Sequence, residues 1–358
     1  MKIKLALLEK DSNYLNRIVN IFNIKYADKL EIYSFTDERV ALQTLSCTPI
    51  DVLIAGDQFD IEANNIPDRC SLAYFVEANN IDTVKDKPAI CKFQKADLIY
   101  KQILSIYSET ASHSTKIRFD ENATRTILFA SASGGVGTST IAAVCAVVIA
   151  RQSRKVLYLN LERFGDSDSM FKGDGQYNFG DVIYAIKSKK SNLSLKLESA
   201  VKQDTSGVFY FASPEIALDV MDLTTEDVRR LLHEIRMSGS YDCIILDSDF
   251  DFSEKSLLLW NEATEVITVS DGSDISNLKF ERMYKALQIL DQQEENNRVE
   301  KMSLLYNKFS NKTGKTISGL SVKAIGGIPR FEHATTLQVI SQVADMGVIT
   351  KITNEKEA

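Results

Sequence analysis

The eight residues Ser133, Gly134, Gly135, Val136, Gly137, Thr138, Ser139 and Thr140 follow an apolar, strand-like run ending at Ser131. They precede the helix-forming apolar run Ile141 to Ala150. Glycines between a strand and a helix let successive backbone N–H groups turn inward. The helix that follows offers unpaired N–H groups and the positive end of its dipole. Phosphate binding is the chemistry such a loop suits, although a tight strand-to-helix crossover can use the same glycines with no ligand. The strict pattern GxxxxGK[ST] is not met: Ala132 stands at the first glycine and Thr138 at the lysine, while Gly137 and Ser139 are kept. Two carboxylates stand at the ends of apolar runs. Asp247 ends the apolar run Cys243 to Asp247, and Glu162 follows the run Val156 to Leu161. Read blandly, the first is a strand-end turn residue and the second a surface carboxylate.

The elements that must position these residues alternate. From residue 1 the pattern reads strand (3–8), helix (13–22), strand (30–33), helix (38–45) and strand (51–55). Apolar stretches at 72–76 and 89–93 follow, and a helix over 95–107 closes the unit. Strand alternating with helix implies a parallel sheet, here five-stranded and doubly wound. Residues 108–124 are polar with little apolar content, as a linker between cores is. A second alternating series starts near residue 125, with strands at 156–161, 208–212, 243–247, 266–270, 303–306 and 324–328. Its helices include a long one over 275–296 and one capped at Thr224. The expected organisation is α/β: two doubly wound domains over residues 1–107 and 125–358, the second the larger.

Composition narrows the function. A chain of 358 residues with 44% hydrophobic and 25% charged residues fits two globular cores. Its net charge of −7 disfavours a general nucleic-acid binder. The basic run Lys187 to Lys190 reads as a solvated helix end. Cys47, Cys70, Cys91, Cys145 and Cys243 form no CxxC pair and read as core thiols, which suits a reducing cytosol and argues against zinc or a disulfide framework. The histidines, His113, His233 and His333, are assigned to the linker and to two helices with no shared spacing. Trp260 and Phe252 read as helix-packing residues. Met1 to Leu8 is too short for a signal peptide, and Ile141 to Ala150 is about half a membrane span, so no transmembrane segment is expected.

The second domain resembles the MinD and ParA superfamily of deviant Walker A ATPases, a P-loop NTPase fold. There the loop reads KGGVGK[ST]T, so Ser133 and Thr138 replace two lysines while Gly134, Gly135, Val136, Gly137, Ser139 and Thr140 match. The family's DxD is matched by Asn160 and Glu162, and its YDxxxxD strand by Tyr241 to Asp247. The resemblance implies an ATP and Mg²⁺ site. Residues 133–140 would cradle the phosphates, Ser139 and Asp247 would serve the metal, and Glu162 would be the catalytic carboxylate. Asn307, Pro329 and Arg330 would lie against the base, the last two in a stretch resembling a GxIP loop. Charge-assisted hydrogen bonds contribute about 1.5–3 kcal/mol each, so the missing lysines weaken binding without abolishing it. Donors over the β and γ phosphates are worth about 10²–10³ in rate, so the chain is expected to be a weak ATPase at most. Arg163 or a lysine elsewhere is open as a substitute. In relatives the first lysine also reaches the partner's nucleotide across a homodimer with ATP at the interface. Gly135→Arg is expected to clash with the cradle and dissociate that dimer.

Residues 1–107 resemble a response-regulator receiver, a flavodoxin-like fold. Its acidic pair is Glu9 and Lys10 here, its phosphoacceptor Gly56, with Asp57 a residue late, and Lys92 and Phe93 stand at its Lys-Pro. A cation at position 10 and no acceptor at 56 imply a pseudo-receiver kept for docking. A slipped register restoring Asp57 as acceptor is the competing reading. A pseudo-receiver fused to a deviant Walker ATPase resembles the TadZ/CpaE family of tight-adherence pilus assembly proteins, and residues 178–186 resemble that family's loop after the first switch. The resemblance implies a cytoplasmic, ATP-dependent dimer at a cell pole, or on the inner membrane face through partners, recruiting other pilus assembly proteins through its N-terminal domain. The alternatives are a MinD or ParA positioning ATPase acting on membrane or DNA, a redox enzyme of the nitrogenase iron protein group, and a scaffold that has lost its nucleotide. The ending Asn354 to Ala358 makes a poor lipid anchor, and no pair of cysteines is placed to share an iron–sulfur cluster.

Overall fold

The computed structural model describes residues 2–78, 81–110, 124–189 and 193–354. Most of the expected linker, His113, Lys190 and the last four residues therefore lie outside the described residues. Two compact units are present, Met1–Lys116 with Lys187–Ala200, and Ile117–Ile186 with Val201–Ala358.

The first unit runs β1 (Ile3–Leu8), α1 (Ser12–Lys25), β2 (Leu30–Phe35), α2 (Glu38–Cys47), β3 (Val52–Gly56), β4 (Ser71–Val76), β5 (Thr83–Val84), β6 (Lys87–Cys91) and α3 (Ala96–Thr110). Asp11 and Asp37 start α1 and α2 by accepting backbone N–H bonds from the first turn. The sheet order is β2-β1-β3-β4-β6-β5, parallel except for β5. That edge strand is the sixth strand, where five were expected. It is two residues long, and its turn places Lys85 and Asp86 at positive φ without the glycine or asparagine that would have marked it. β1, β3 and β4 are almost wholly apolar and buried, as a sheet covered on both faces requires.

The second unit runs β7 (Arg125–Ala130), α4 (Thr138–Arg151), β8 (Val156–Asn160) and α5 (Phe179–Lys187). After α6 (Leu193–Ala200), which clusters with the first unit, come β9 (Lys202–Gln203), β10 (Phe209–Tyr210), α7 (Leu218–Met221), α8 (Thr225–Met237), β11 (Cys243–Asp247), α9 (Glu254–Glu262), β12 (Glu265–Ser270), α10 (Asp274–Glu294), β13 (Met302–Phe309), β14 (Lys323–Pro329), α11 (Thr336–Ala344) and α12 (Gly347–Thr353). Its eight-stranded sheet has the order β14-β13-β12-β7-β11-β8-β10-β9, with β9 antiparallel. The chain builds first to one side of β7 and then, from β12, to the other. The carboxyl end of β7 is thus a topological switch point, where open α/β sheets bind ligands. Every residue of α4 from Ile141 to Ile149 is buried, and α11 and α12 pack against it. A helix apolar all round needs cover on all sides.

Four expectations change. Residues 178–186, matched to a loop, are mostly α5: Asn178 caps it by accepting from Gly180, and Phe179, Val182, Ile183 and Ile186 form its buried face. The segment 187–200 leaves the otherwise contiguous second domain. Leu193 and Leu197 of α6 are buried, Lys196 Nζ donates to Ser105 Oγ at 2.8 Å, and Glu198 pairs with Lys29. Cys47 is exposed at the end of α2, whereas Cys70, Cys91, Cys145 and Cys243 are buried. His333 lies between β14 and α11 at positive φ and not on a helix.

Candidate functional site

The glycine loop leaves β7 and enters α4 through Gly137, whose φ of +86° only glycine adopts without strain. A Cβ there would meet Asn307 Nδ2 at 2.5 Å. The closeness has a purpose, because that amide donates to Val136 O at 2.8 Å and pins the loop to β13. Ser131 Oγ donates to Ser133 O at 2.9 Å and braces its other end. Among the described residues no side chain caps α4, so its first-turn N–H groups lack a side-chain partner. Ser133 Oγ is buried there and likewise lacks one. Gly135, at φ +76°, has nothing within 4 Å of an added Cβ. The first side-chain atom of Gly135→Arg would therefore meet no protein atom, while its backbone would be strained.

The strand register assembles the carboxylates. Asp247 of β11 lies opposite Asn160 of β8 on one side and Phe129 of β7 on the other, one residue before β7 ends. Asp247 is fully buried. Tyr158 OH donates to its Oδ2 at 2.5 Å, and among the described residues Oδ1 has no hydrogen-bond partner. Asn160 Oδ1 accepts from the backbone N–H of Glu162 and turns the chain back, so that Ser139 Oγ donates to Glu162 Oε2 at 3.0 Å. Burial pushes the Asp247 carboxyl well up, and the neighbouring Glu162 charge pushes it further. Glu162 is raised as well, by burial first, against the opposing hydrogen bond from Ser139. Two carboxylates that resist ionising side by side, one with an orphaned oxygen, next to a hydroxyl at a helix N-terminus, fit a divalent cation. Among the described residues no cluster of three or more His, Cys, Asp or Glu could hold a metal by itself. Mg²⁺ takes few protein ligands and completes its shell with phosphate and water.

Pro329 ends β14, the strand paired with β13, and Arg330 follows it; both are exposed, and Arg330 pairs with Glu332 at 3.4 Å. Arg163 is half-exposed and pairs with Asp249 at 3.2 Å and Asp251 at 4.0 Å. Tyr158 was missed by reading the sequence. Its signal was a polar-tipped residue on the same strand face as Asn160, inside a run otherwise read as core. In the first unit Glu9 and Lys92, both almost fully buried, form an ion pair at 2.7 Å, and Gln58 Nε2 donates to Glu9 at 2.8 Å. A Cβ on Gly56 would collide with the Gln58 amide at 2.5 Å. The Gln58 amide occupies that space, and position 56 carries no acceptor side chain. Asp57 lies beyond the end of β3 and is exposed, so the slipped register does not occur.

A glycine loop between the central strand and a buried helix, with a carboxylate at the tip of the next strand, defines the second unit as a P-loop domain of doubly wound architecture. Residues 1–108 match the family model described as TadZ-like, receiver domain. A ParA family ATPase from Chlorobium tepidum superposes with TM-score 0.51 at 21% identity, over 64% of this chain and 96% of that one. The MinC:MinD cell division protein complex of Aquifex aeolicus gives TM-score 0.50 at 18% identity, over 66% and 98%. No curated protein matches the chain. Residues 1–108 are thus similar to a TadZ-like receiver domain, and the second unit shares the fold of the MinD and ParA structures.

Proposed function

We propose that the protein is an ATP-binding localisation and assembly factor of a tight-adherence pilus system, turning over slowly and acting as a homodimer with ATP at its interface. The observation that carries the reading is the buried, unpartnered Asp247 Oδ1, set beside Ser139 and Glu162 at the uncapped start of α4. The N–H groups of residues 134–140 would hold the phosphates, and Ser133 would add its unpaired hydroxyl. Ser139 and Asp247 would hold the Mg²⁺ and its waters, with Glu162 orienting the attacking water. Asn307, Pro329 and Arg330 would flank the adenine. Bound Mg²⁺ would draw charge from the phosphate oxygens as it grows in the transition state.

With Thr138 and Ser133 where relatives carry lysines, hydrolysis would be slow and ATP would serve as glue or timer. The receiver unit would be a docking surface, since its acceptor place is filled by Gln58 and its acidic pocket is closed by Lys92. A cytoplasmic, polar location would follow from partners. Among the described residues no helix is long and apolar enough to cross a membrane. A positioning ATPase acting directly on DNA would sit poorly with a net charge of −7.

Acid extraction of the purified protein, followed by anion-exchange chromatography, tests the reading. Co-purifying ATP or ADP supports it. An empty chromatogram, together with no uptake of added Mg·ATP, contradicts it.

A further inference from the structure

Lys308 follows Asn307 on β13 and adopts a left-handed conformation, φ +57°. β-strand residues do not ordinarily do this, and for a lysine it costs about 1–2 kcal/mol. The turn breaks the β13–β14 register between Tyr306 and Phe309 and throws the side chain across the glycine loop. Its Nζ donates to Gly135 O at 2.8 Å, and its Cε would stand 3.5 Å from a Cβ on Gly137. Among the described residues Lys308 forms no ion pair, while Arg163, Arg330 and Lys315 are matched with carboxylates.

We propose that Lys308 supplies, from outside the loop, the phosphate-binding cation that positions 133 and 138 have lost. The proposal rests on the ATP reading above. An ammonium carries three donors. One is spent on Gly135 O, which fixes the amine beside the cradle, and the others remain for polyphosphate oxygens. The loop carbonyl thus holds the charge in place before the ligand arrives, and the strained backbone at 308 is the cost of aiming it.

The test compares Mg·ATP with adenosine, which shares the base and ribose but lacks phosphate. Lys308→Asn removes the charge with a residue that tolerates left-handed φ, so the turn is kept. The expected result is ATP binding weakened about 10- to 100-fold in calorimetry, with adenosine binding by NMR titration unchanged. Lys308→Arg should retain most of the ATP affinity, and Thr138→Lys added to Lys308→Asn should restore it from within the loop. Equal loss for ATP and adenosine would make Lys308 a mere brace for the loop and overturn the proposal. So would unchanged ATP affinity in Lys308→Asn. If the parent protein binds adenosine but gains nothing from the phosphates, the ATP reading and this one both fall. ATP binding that is intact in the parent and in Lys308→Asn removes the Lys308 proposal alone.

Discussion

Asp247 is shielded from solvent with one oxygen held by Tyr158 and the other facing no donor. A buried acceptor left unsatisfied costs about 1–3 kcal/mol, and a bound cation would answer it. Asp247→Asn should therefore uncouple ATP binding from Mg²⁺: calorimetry with and without the metal should give the same weak affinity, and thermal melts of the metal-free protein should show no loss of stability. A persisting Mg²⁺ dependence would move the metal elsewhere. In the receiver unit the buried carboxylate is answered from within. Burial raises Glu9, but hydrogen bonds from Lys92, the Asp11 backbone and Gln58 outweigh it, and the net shift is downward. A lowered carboxylate contributes stability that is fully present above its unfolded value near 4.5 and is lost as pH falls through the folded value. Lys92→Met should remove about 3–5 kcal/mol at neutral pH, because it strands a buried charge. It should also reverse the slope, so that the variant gains stability on acidification toward pH 4. Denaturant unfolding of the full chain at several pH values reads both effects, and a parallel shift of the two curves would contradict them.

The strand–loop–helix element from β7 to α4 shows what patterning can and cannot reveal. The glycines were legible because a tight strand-to-helix turn demands them, while Ser139 and Asp247 stood out only through the motifs of the resembled family. Tyr158 and Lys308 were not, because each reaches the site by a turn or register that one sequence does not display. The same holds for the β5 edge strand, whose turn lacks glycine, and for α5, where a helix stands in a stretch matched to a loop. The loop's two left-handed glycines make separable predictions. Gly135→Ala carries backbone strain alone and should cost about 1–2 kcal/mol. Gly137→Ala adds a collision with Asn307 and should cost more, with loss of ATP binding. Equal costs in denaturant titrations would show that Asn307 yields freely. Thr138→Lys, at the first turn of α4, should speed phosphate release about tenfold or more in a steady-state assay if missing charge is what slows turnover. An unchanged rate would place the limit at another step.

At the scale of the whole molecule, two doubly wound units share a chain, and sequence alternation was enough to expect both. The assignment of 187–200 to the first unit was not readable, since α6 is short and its apolar face is defined only by α3 beneath it. On the proposed reading, Gly56 at the acceptor position and a glycine loop without its two lysines fit one design, in which both units would bind and neither would turn over quickly. Incubating the protein with acetyl phosphate and Mg²⁺ should leave no phosphoryl adduct by intact mass spectrometry, because Gln58 fills the acceptor's place and Asp57 points to solvent. The measurement that bears most directly on the account is calorimetric titration of Mg·ATP into nucleotide-free, full-length protein. Saturable binding near one site per chain, lost on removing Mg²⁺ or in the Gly137→Ala variant, is the predicted result. No saturable heat, or binding indifferent to both, would contradict the assignment of the Ser133 to Thr140 loop as a nucleotide site.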